Sequence, residues 1–330
     1  MNGIKFHGFG HCVPENRIDN NDLANHGVDT NDEWIQTRTG IKARHFIDKD
    51  HYNYELALSA CKQAVENAGI SVDELAYLVV CSFSPEFPVP SVACMVQEKM
   101  GIPDTCTCFD INTACAGFLY GLQVMRGLLI QKEMDEECAA GGVNADSKNR
   151  KYGVVIGSEV ISKYLDMTDR GSCILFGDGA GAAVVSIEKE SIYAFTSGSK
   201  GNYEVLHVGG PGLDNCYVSM TGSDVFKFAV TIVPKCINEV LEKAGLSFDD
   251  IDLVVCHQAN KRIIDAVRTK FKAPEEKFPM NISEYGNTSA ASVPILLSEL
   301  SQKGILKKGQ KVILTGFGAG LTWGANLVEI

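Results

Sequence analysis

Long apolar runs are missing from this 330-residue chain: no uninterrupted stretch approaches the roughly 18 residues that a membrane-spanning helix needs. Positive charge is also scarce, with 30 Lys and Arg against 41 Asp and Glu, for a formal net charge of −11. Nucleic acid and anionic lipid both demand a dominant basic field, so neither is an expected partner. Any acidic partner must dock on a local basic patch. The opening residues, MNGIKFHGFG, lack the basic start and long apolar segment of a secretory signal. Low-complexity tracts are lacking as well. These shortages describe a soluble protein, expected in the cytoplasm.

What the chain does have is 45% apolar residues, enough for a large core in one double domain or two domains. Its twelve cysteines do not suit a disulfide scaffold, because such scaffolds are short and loop-rich. Here many sit in apolar runs such as Leu78–Cys81 and Leu253–Cys256, as buried thiols of a reducing compartment do.

The chain also repeats itself weakly. AGISVDELAYLVVCS from Ala68 parallels AGLSFDDIDLVVCH from Ala244, each an amphipathic helix end, a glycine, an acidic turn and a short apolar strand. ILFGDGAGAAVVSI from Ile174 parallels ILTGFGAGLTWGANLVEI from Ile313, so two halves are expected, 1–187 and 188–330. Fully apolar strands alternating with helices predict parallel or mixed sheets covered on both faces. Lys132–Lys151, rich in charge, Gly, Asn and Asp, reads as an exposed loop.

Cys115 falls in TACAG, between a strand signal at 109–112 and a helix pattern, FLYGLQVMRGLLIQ. Small neighbours permit a tight turn, and a helix start favours thiolate over thiol, so a nucleophilic sulfur is one reading. A buried core thiol is the other. Cys106 and Cys108 form a CxC pair nearby, but nothing of suitable spacing completes a four-ligand zinc set. In the second half, His257 in HQAN follows a predicted strand, where ligand sites of α/β sheets gather. Asn287 follows Gly286 in YGNTSAASVP; alone it reads as a helix N-cap. Gly316–Gly320 follows a strand and can aim backbone N–H groups at an oxyanion, and it lacks the Lys-Ser/Thr ending of a phosphate loop.

Taken in series, TACAGF, HQAN, YGNTSAASVP and GFGAGLTWGA resemble β-ketoacyl-acyl-carrier-protein synthase III, a condensing enzyme of the thiolase fold. The resemblance spans the whole chain and implies two duplicated α/β halves stacked as five layers, αβαβα, in a homodimer. It implies decarboxylative condensation of an acyl-CoA primer with malonyl-acyl-carrier protein, without a cofactor or metal. Cys115 would carry the acyl group, and His257 and Asn287 would hold the thioester oxygen of the malonyl group. The N–H groups of Cys115 and Ala319 would form the oxyanion hole. The His and Asn pair separates the chain from elongating synthases, which use two histidines, and from thiolases, which use a second cysteine.

By the same resemblance, Thr30, Trp34, Arg38, Arg170 and Asn260 would bind coenzyme A, with Trp34 and Arg170 sandwiching the adenine. Lys227, Arg262 and Lys270 would dock the acidic carrier protein. Phe317 and Val89 would bound the acyl pocket, Val89 standing where the family commonly has a Phe that reaches across the dimer. A smaller residue there implies tolerance for longer or branched primers. The connection holding 132–150 is longer than the family's by about a dozen residues. Rival readings are a thiolase-fold acyltransferase of secondary metabolism with another acceptor, and a non-catalytic acyl-CoA binder. A papain-like hydrolase also combines Cys, His and Asn, but its local signature is missing.

Overall fold

The computed structural model describes residues 2–25, 27–138, 150–210 and 212–330. Its strands are β1 (Gly3–Cys12), β2 (Arg17–Asp19), β3 (Ala43–His45), β4 (Leu75–Cys81), β5 (Thr107–Ile111), β6 (Tyr152–Glu159), β7 (Gly179–Glu188), β8 (Tyr193–Ser199), β9 (Leu206–Val208), β10 (Val218–Met220), β11 (Leu253–Cys256), β12 (Lys311–Gly318) and β13 (Thr322–Glu329). The first large sheet runs β1-β7-β6-β4-β5 and the second β8-β13-β12-β11. In each, a parallel pair (β6 with β4, β12 with β11) is joined to two antiparallel partners in the same order. The two halves therefore share one topology, the first adding β5 at its edge.

Five layers follow from which strand faces are apolar. In β4, Val79 and Cys81 face one cluster while Leu78 and Val80 face another. In β11, Leu253 and Val255 face that same first cluster, and Val254 and Cys256 face a third. With every alternate residue buried, both faces of each sheet need a covering layer. The shared middle layer is made by helices Gly117–Cys138 and Ser292–Gln302, whose Leu119, Leu122, Leu296 and Leu297 pack among strands of both sheets. Truncating fully buried Leu297 to Ala there would cost about 2–5 kcal/mol. Helices Asn53–Ala68 and Val92–Met100 cover the first sheet outside, and Gly222–Ala244 and Lys261–Lys270 the second. Among the described residues no helix is long and apolar enough to cross a membrane.

The duplication reaches into backbone detail. Helix Asn53–Ala68 ends on left-handed Gly69 (φ 66°, ψ 31°) and helix Gly222–Ala244 on Gly245 (φ 67°, ψ 31°). Each glycine leads to a 3-10 turn held by a reciprocal cap, Ser71 with Glu74 and Ser247 with Asp250. Two sequence expectations need correction. Ile174–Gly177 is a turn segment, so it does not match the strand beginning Lys311; β12 is the counterpart of β6, and only β7 and β13 correspond. Lys132–Cys138, read as loop, continues the middle helix, where Leu129 and the chain around it still pack inward and Lys132 pairs with Glu136. Residues 139–149 of that expected loop lie outside the described residues.

Candidate active site

The nucleophile candidate sits where β5 hands over to the middle layer. Asn112 Oδ1 accepts the Ala114 N–H (3.1 Å), Ala114 takes a left-handed conformation (φ 47°), and a 3-10 turn, Ala114–Ala116, leads into helix Gly117–Cys138. From the other half, the end of β12 arrives backbone to backbone: a Cβ on Gly318 would lie 2.6 Å from the Cys115 nitrogen. Only glycine lets the strands come so close, and the approach sets Ala319 beside Cys115.

His257 follows β11, its N–H continuing the ladder to Thr315 O (2.8 Å). Its Nδ1 lies 2.7 Å from Ser292 Oγ, and that oxygen also accepts the Gln258 N–H (3.3 Å). A Ser292 hydroxyl that donates to Nδ1 places the imidazole proton on Nε2. Burial pushes the His257 pKa down to about 3. The ring is thus a neutral donor at physiological pH.

Asn287 is placed by Gly286, whose φ of 65° and ψ of −156° lie outside the range open to a side-chain-bearing residue. The Asn287 N–H donates to Leu175 O (2.8 Å) and its carbonyl accepts from Gly177 (3.1 Å). Its Oδ1 accepts the Ser289 N–H (2.9 Å), so Nδ2 is the end left to donate. The N-cap reading fails because the next helix starts at Ser292, after a further 3-10 turn.

Cys115, His257 and Asn287 line one cavity of about 500 Å³, together with Arg38, Asn260 and Phe317. A second cavity of about 480 Å³ also reaches Cys115, with Phe83, Ile161, Val208 and Val218 in its wall and Ala319 beside them. The sulfur stands between a chamber with fixed donors and an apolar one. Phe317 belongs to the first, its ring 5.7 Å from the His257 ring, so its expected place in the apolar pocket is corrected: β12 aims it outward, against Phe228 and the helices covering the second sheet. Val89 is 81% exposed and lines neither cavity of its own chain.

The expected lowering of the Cys115 pKa is also corrected. Burial pushes the thiol up to about 12, with Ser289 hydrogen bonding opposing and the Glu159 carboxyl adding to the rise. Desolvation of the sulfur is the largest contribution.

At the mouth of the donor-lined cavity, two guanidinium groups flank one indole. Arg170 lies 4.8 Å and Arg38 5.6 Å from the Trp34 ring centroid, and Arg170 Nη1 donates to Asp29 O (2.8 Å). Thr30 Oγ1 nearby in sequence is buried without a protein partner. Asn260 caps helix Lys261–Lys270 through the Arg262 N–H (2.9 Å) and donates to Arg38 O (3.2 Å). Lys227 and Arg262 line the same cavity, whereas Lys270 lies at the far end of that helix and does not.

Sequence reasoning missed Glu159, at the end of β6. It is fully buried and accepts from Ser84 Oγ (2.5 Å), Ser289 Oγ (3.1 Å), Ser82 Oγ (3.2 Å) and the Phe83 N–H (3.2 Å). An acid ending the apolar run Val154–Ser158 was the available signal.

Comparison with known proteins agrees with this geometry. The family model for 3-oxoacyl-[acyl-carrier-protein] synthase III matches residues 137–201, and that for its C-terminal part matches 241–330. A β-ketoacyl-[acyl-carrier-protein] synthase III of Clostridium perfringens is 40% identical over 100% of both chains. The crystal structure of 3-oxoacyl-[acyl-carrier-protein] synthase III from Aquifex aeolicus superposes with a TM-score of 0.88 at 39% identity, covering 99% of this chain and 100% of that one. The priming β-ketosynthase of the R1128 polyketide biosynthetic pathway also superposes, with a TM-score of 0.88 at 29% identity over 99% and 96%. With a thiol, an imidazole and a carboxamide from two duplicated halves meeting in one cavity, and full-length likeness of this order, the chain belongs to the β-ketoacyl-acyl-carrier-protein synthase III family of thiolase-fold acyltransferases.

Proposed function

We propose that Cys115, His257 and Asn287 carry out the reaction of this family, condensation of an acyl-CoA primer with malonyl-acyl-carrier protein at the start of fatty acid synthesis. The observation that carries the assignment is the meeting of the three side chains in one chamber. Attack of the sulfur on the primer thioester develops an oxyanion, which the Cys115 and Ala319 N–H groups receive. The acyl chain then occupies the apolar chamber. When the malonyl thioester loses carbon dioxide, negative charge builds on its carbonyl oxygen. His257 Nε2–H and Asn287 Nδ2–H stabilise that charge, and an imidazole with pKa of about 3 does so without quenching the carbanion. The carbanion attacks the acyl-enzyme, and the sulfur leaves.

Trp34, Arg170, Arg38, Thr30 and Asn260 then bind the coenzyme A moiety, the Trp34–Arg170 stack parting to admit the adenine. Lys227, Arg262 and Lys270 dock the carrier protein. This chemistry calls for no cofactor. The working form is a cytoplasmic homodimer with Val89 closing the partner's apolar chamber, and the halves divide near residue 188. The likeness to a polyketide priming synthase supports a second reading, in which the acceptor belongs to a secondary pathway. The test is incubation with an acyl-CoA panel and malonyl-acyl-carrier protein, followed by mass measurement of protein and products. Acylation of Cys115, carbon dioxide release and a 3-oxoacyl product are expected. Transfer that survives Cys115→Ser would overturn the assignment.

A further inference from the structure

Glu159 is a buried ionisable group that the condensation scheme above leaves without a task. Its setting is unusual: four hydrogen-bond donors, three of them hydroxyls, converge on it, and none is a cation. Burial with no cation beside it is costly to the charged form of a carboxyl. One of those donors is Ser289, which shares the wall of the apolar cavity with Cys115; with its own proton given to Glu159, its oxygen is the acceptor left for the thiol. Ser289 is held in a left-handed conformation (φ 49°) by its N–H bond to Asn287 Oδ1. Strained backbone of this kind gathers at working sites.

We propose that Glu159, acting through the Ser289 hydroxyl, takes the Cys115 thiol proton as the acyl group arrives and returns it when the sulfur leaves. The inference rests on the reading of Cys115 as nucleophile. In the first half-reaction the S–H proton passes to Ser289 Oγ while the Ser289 proton passes to Glu159 Oε1. The sulfur–carbon bond forms, the thioester carbon–sulfur bond breaks, and the released coenzyme thiolate takes its proton from solvent. In the second half-reaction the carbanion displaces the sulfur, and the departing thiolate recovers its proton from Glu159 by the same two hops. The sum consumes one solvent proton, as release of a thiol and carbon dioxide from these substrates requires. Glu159 touches no substrate; it is a positioning and proton-holding residue.

Burial raises the Glu159 pKa to about 8, within reach of both uptake and return near neutral pH. The other titratable groups that feel its charge are Cys115, Cys81 on β4 and Tyr164 after β6, all neutral in that range. The carboxylate is the form that accepts, so the acylation rate should climb as pH rises through about 8.

The experiment is single-turnover acylation of the full chain by an acyl-CoA, followed by intact mass from about pH 6 to 9, with malonyl-thioester decarboxylation measured in parallel. Glu159→Gln should slow acylation about 100-fold and erase the inflection near 8, and Ser289→Ala should do the same with the carboxyl still present. Decarboxylation, which does not use the sulfur, should stay within about threefold in both and so report an intact site. Wild-type acylation rates in Glu159→Gln, or an inflection that persists in it, would overturn the relay. If Glu159→Gln fails to fold, Ser289→Ala decides alone. A wild-type protein that never acylates Cys115 would instead refute the nucleophile assignment.

Discussion

Gly318→Ala tests the meeting of the two halves at its narrowest point. The added methyl would stand 2.6 Å from the Cys115 nitrogen and 3.2 Å from its Cα and Cβ, where ordinary contact begins at 3.4 Å. About 0.8 Å of separation must therefore be found between two backbones. Neither yields readily: Gly318 is registered against Thr322 at the end of the β12–β13 ladder, and Cys115 lies in a turn beneath a buried helix. Overpacking of this kind costs about 1–3 kcal/mol, or roughly 1–4 °C in Tm for a chain of this length. The functional effect should be larger, because displacement near 1 Å at a reacting atom costs about 100-fold. Mass-detected acylation of Cys115 should fall by that factor. Decarboxylation should fall less, since Asn287 and His257 are held by Leu175, Gly177 and Ser292 rather than by Gly318. Acylation within about threefold of wild type would show that the contact does not set the position of the sulfur.

Asn287→Ala should still accept an acyl group while decarboxylation drops by about 100–1,000-fold; an unchanged rate of carbon dioxide release would remove Asn287 from its role. Ser292→Ala frees the His257 tautomer and should cut decarboxylation about 10-fold with acylation intact, and equal rates in the two proteins would show that Ser292 does not set the tautomer. Because the folded His257 pKa lies near 3, below its ordinary 6.5, the unfolded chain binds the extra proton between those values. Stability from this group is therefore present above 6.5 and lost as pH falls toward 3. Urea unfolding should lose more stability between pH 7 and about pH 5 in the wild type than in His257→Gln. Equal losses would contradict a buried neutral ring. Acetyl-, isobutyryl- and hexanoyl-CoA should all prime the reaction, and Val89→Phe should narrow the choice toward acetyl. Strict acetyl preference in the wild type would refute that reading of Val89.

The sequence exposed those features that obey a short-range rule. Leu78–Cys81 and Leu253–Cys256 read as strands buried on both faces because four consecutive apolar residues leave no polar side. Gly69 and Gly245 announced helix ends because both need a left-handed turn. Cys115, His257 and Asn287 were visible as unusual residues at strand or helix ends, yet no spacing in the chain states that they share a chamber; β5, β11 and the Leu175–Gly177 turn bring them there. Ser289 and Ser292 were legible only as small residues, since a hydroxyl gains its role from partners remote in sequence, Glu159 and His257. Phe317 was assigned to the wrong chamber because a Gly-rich segment hides which face of β12 it joins. The upward push on the Cys115 pKa comes from burial, which no local pattern states.

The two halves differ most in how one hairpin is closed. Between β12 and β13 the chain spends only residues 319–321, while between β6 and β7 it spends 160–178. That detour carries Arg170, Phe176 and the stretch that clasps Asn287, so the symmetry of the halves is kept in the sheets and broken in this one connection. A symmetric chain assembled from two second halves would keep its layers and its Gly-rich turn but lose the Leu175–Gly177 stretch that holds Asn287. Residues 160–174 are thus the part of the detour to exchange among relatives when testing which acyl donors are accepted, with the Leu175–Gly177 clasp of Asn287 left in place.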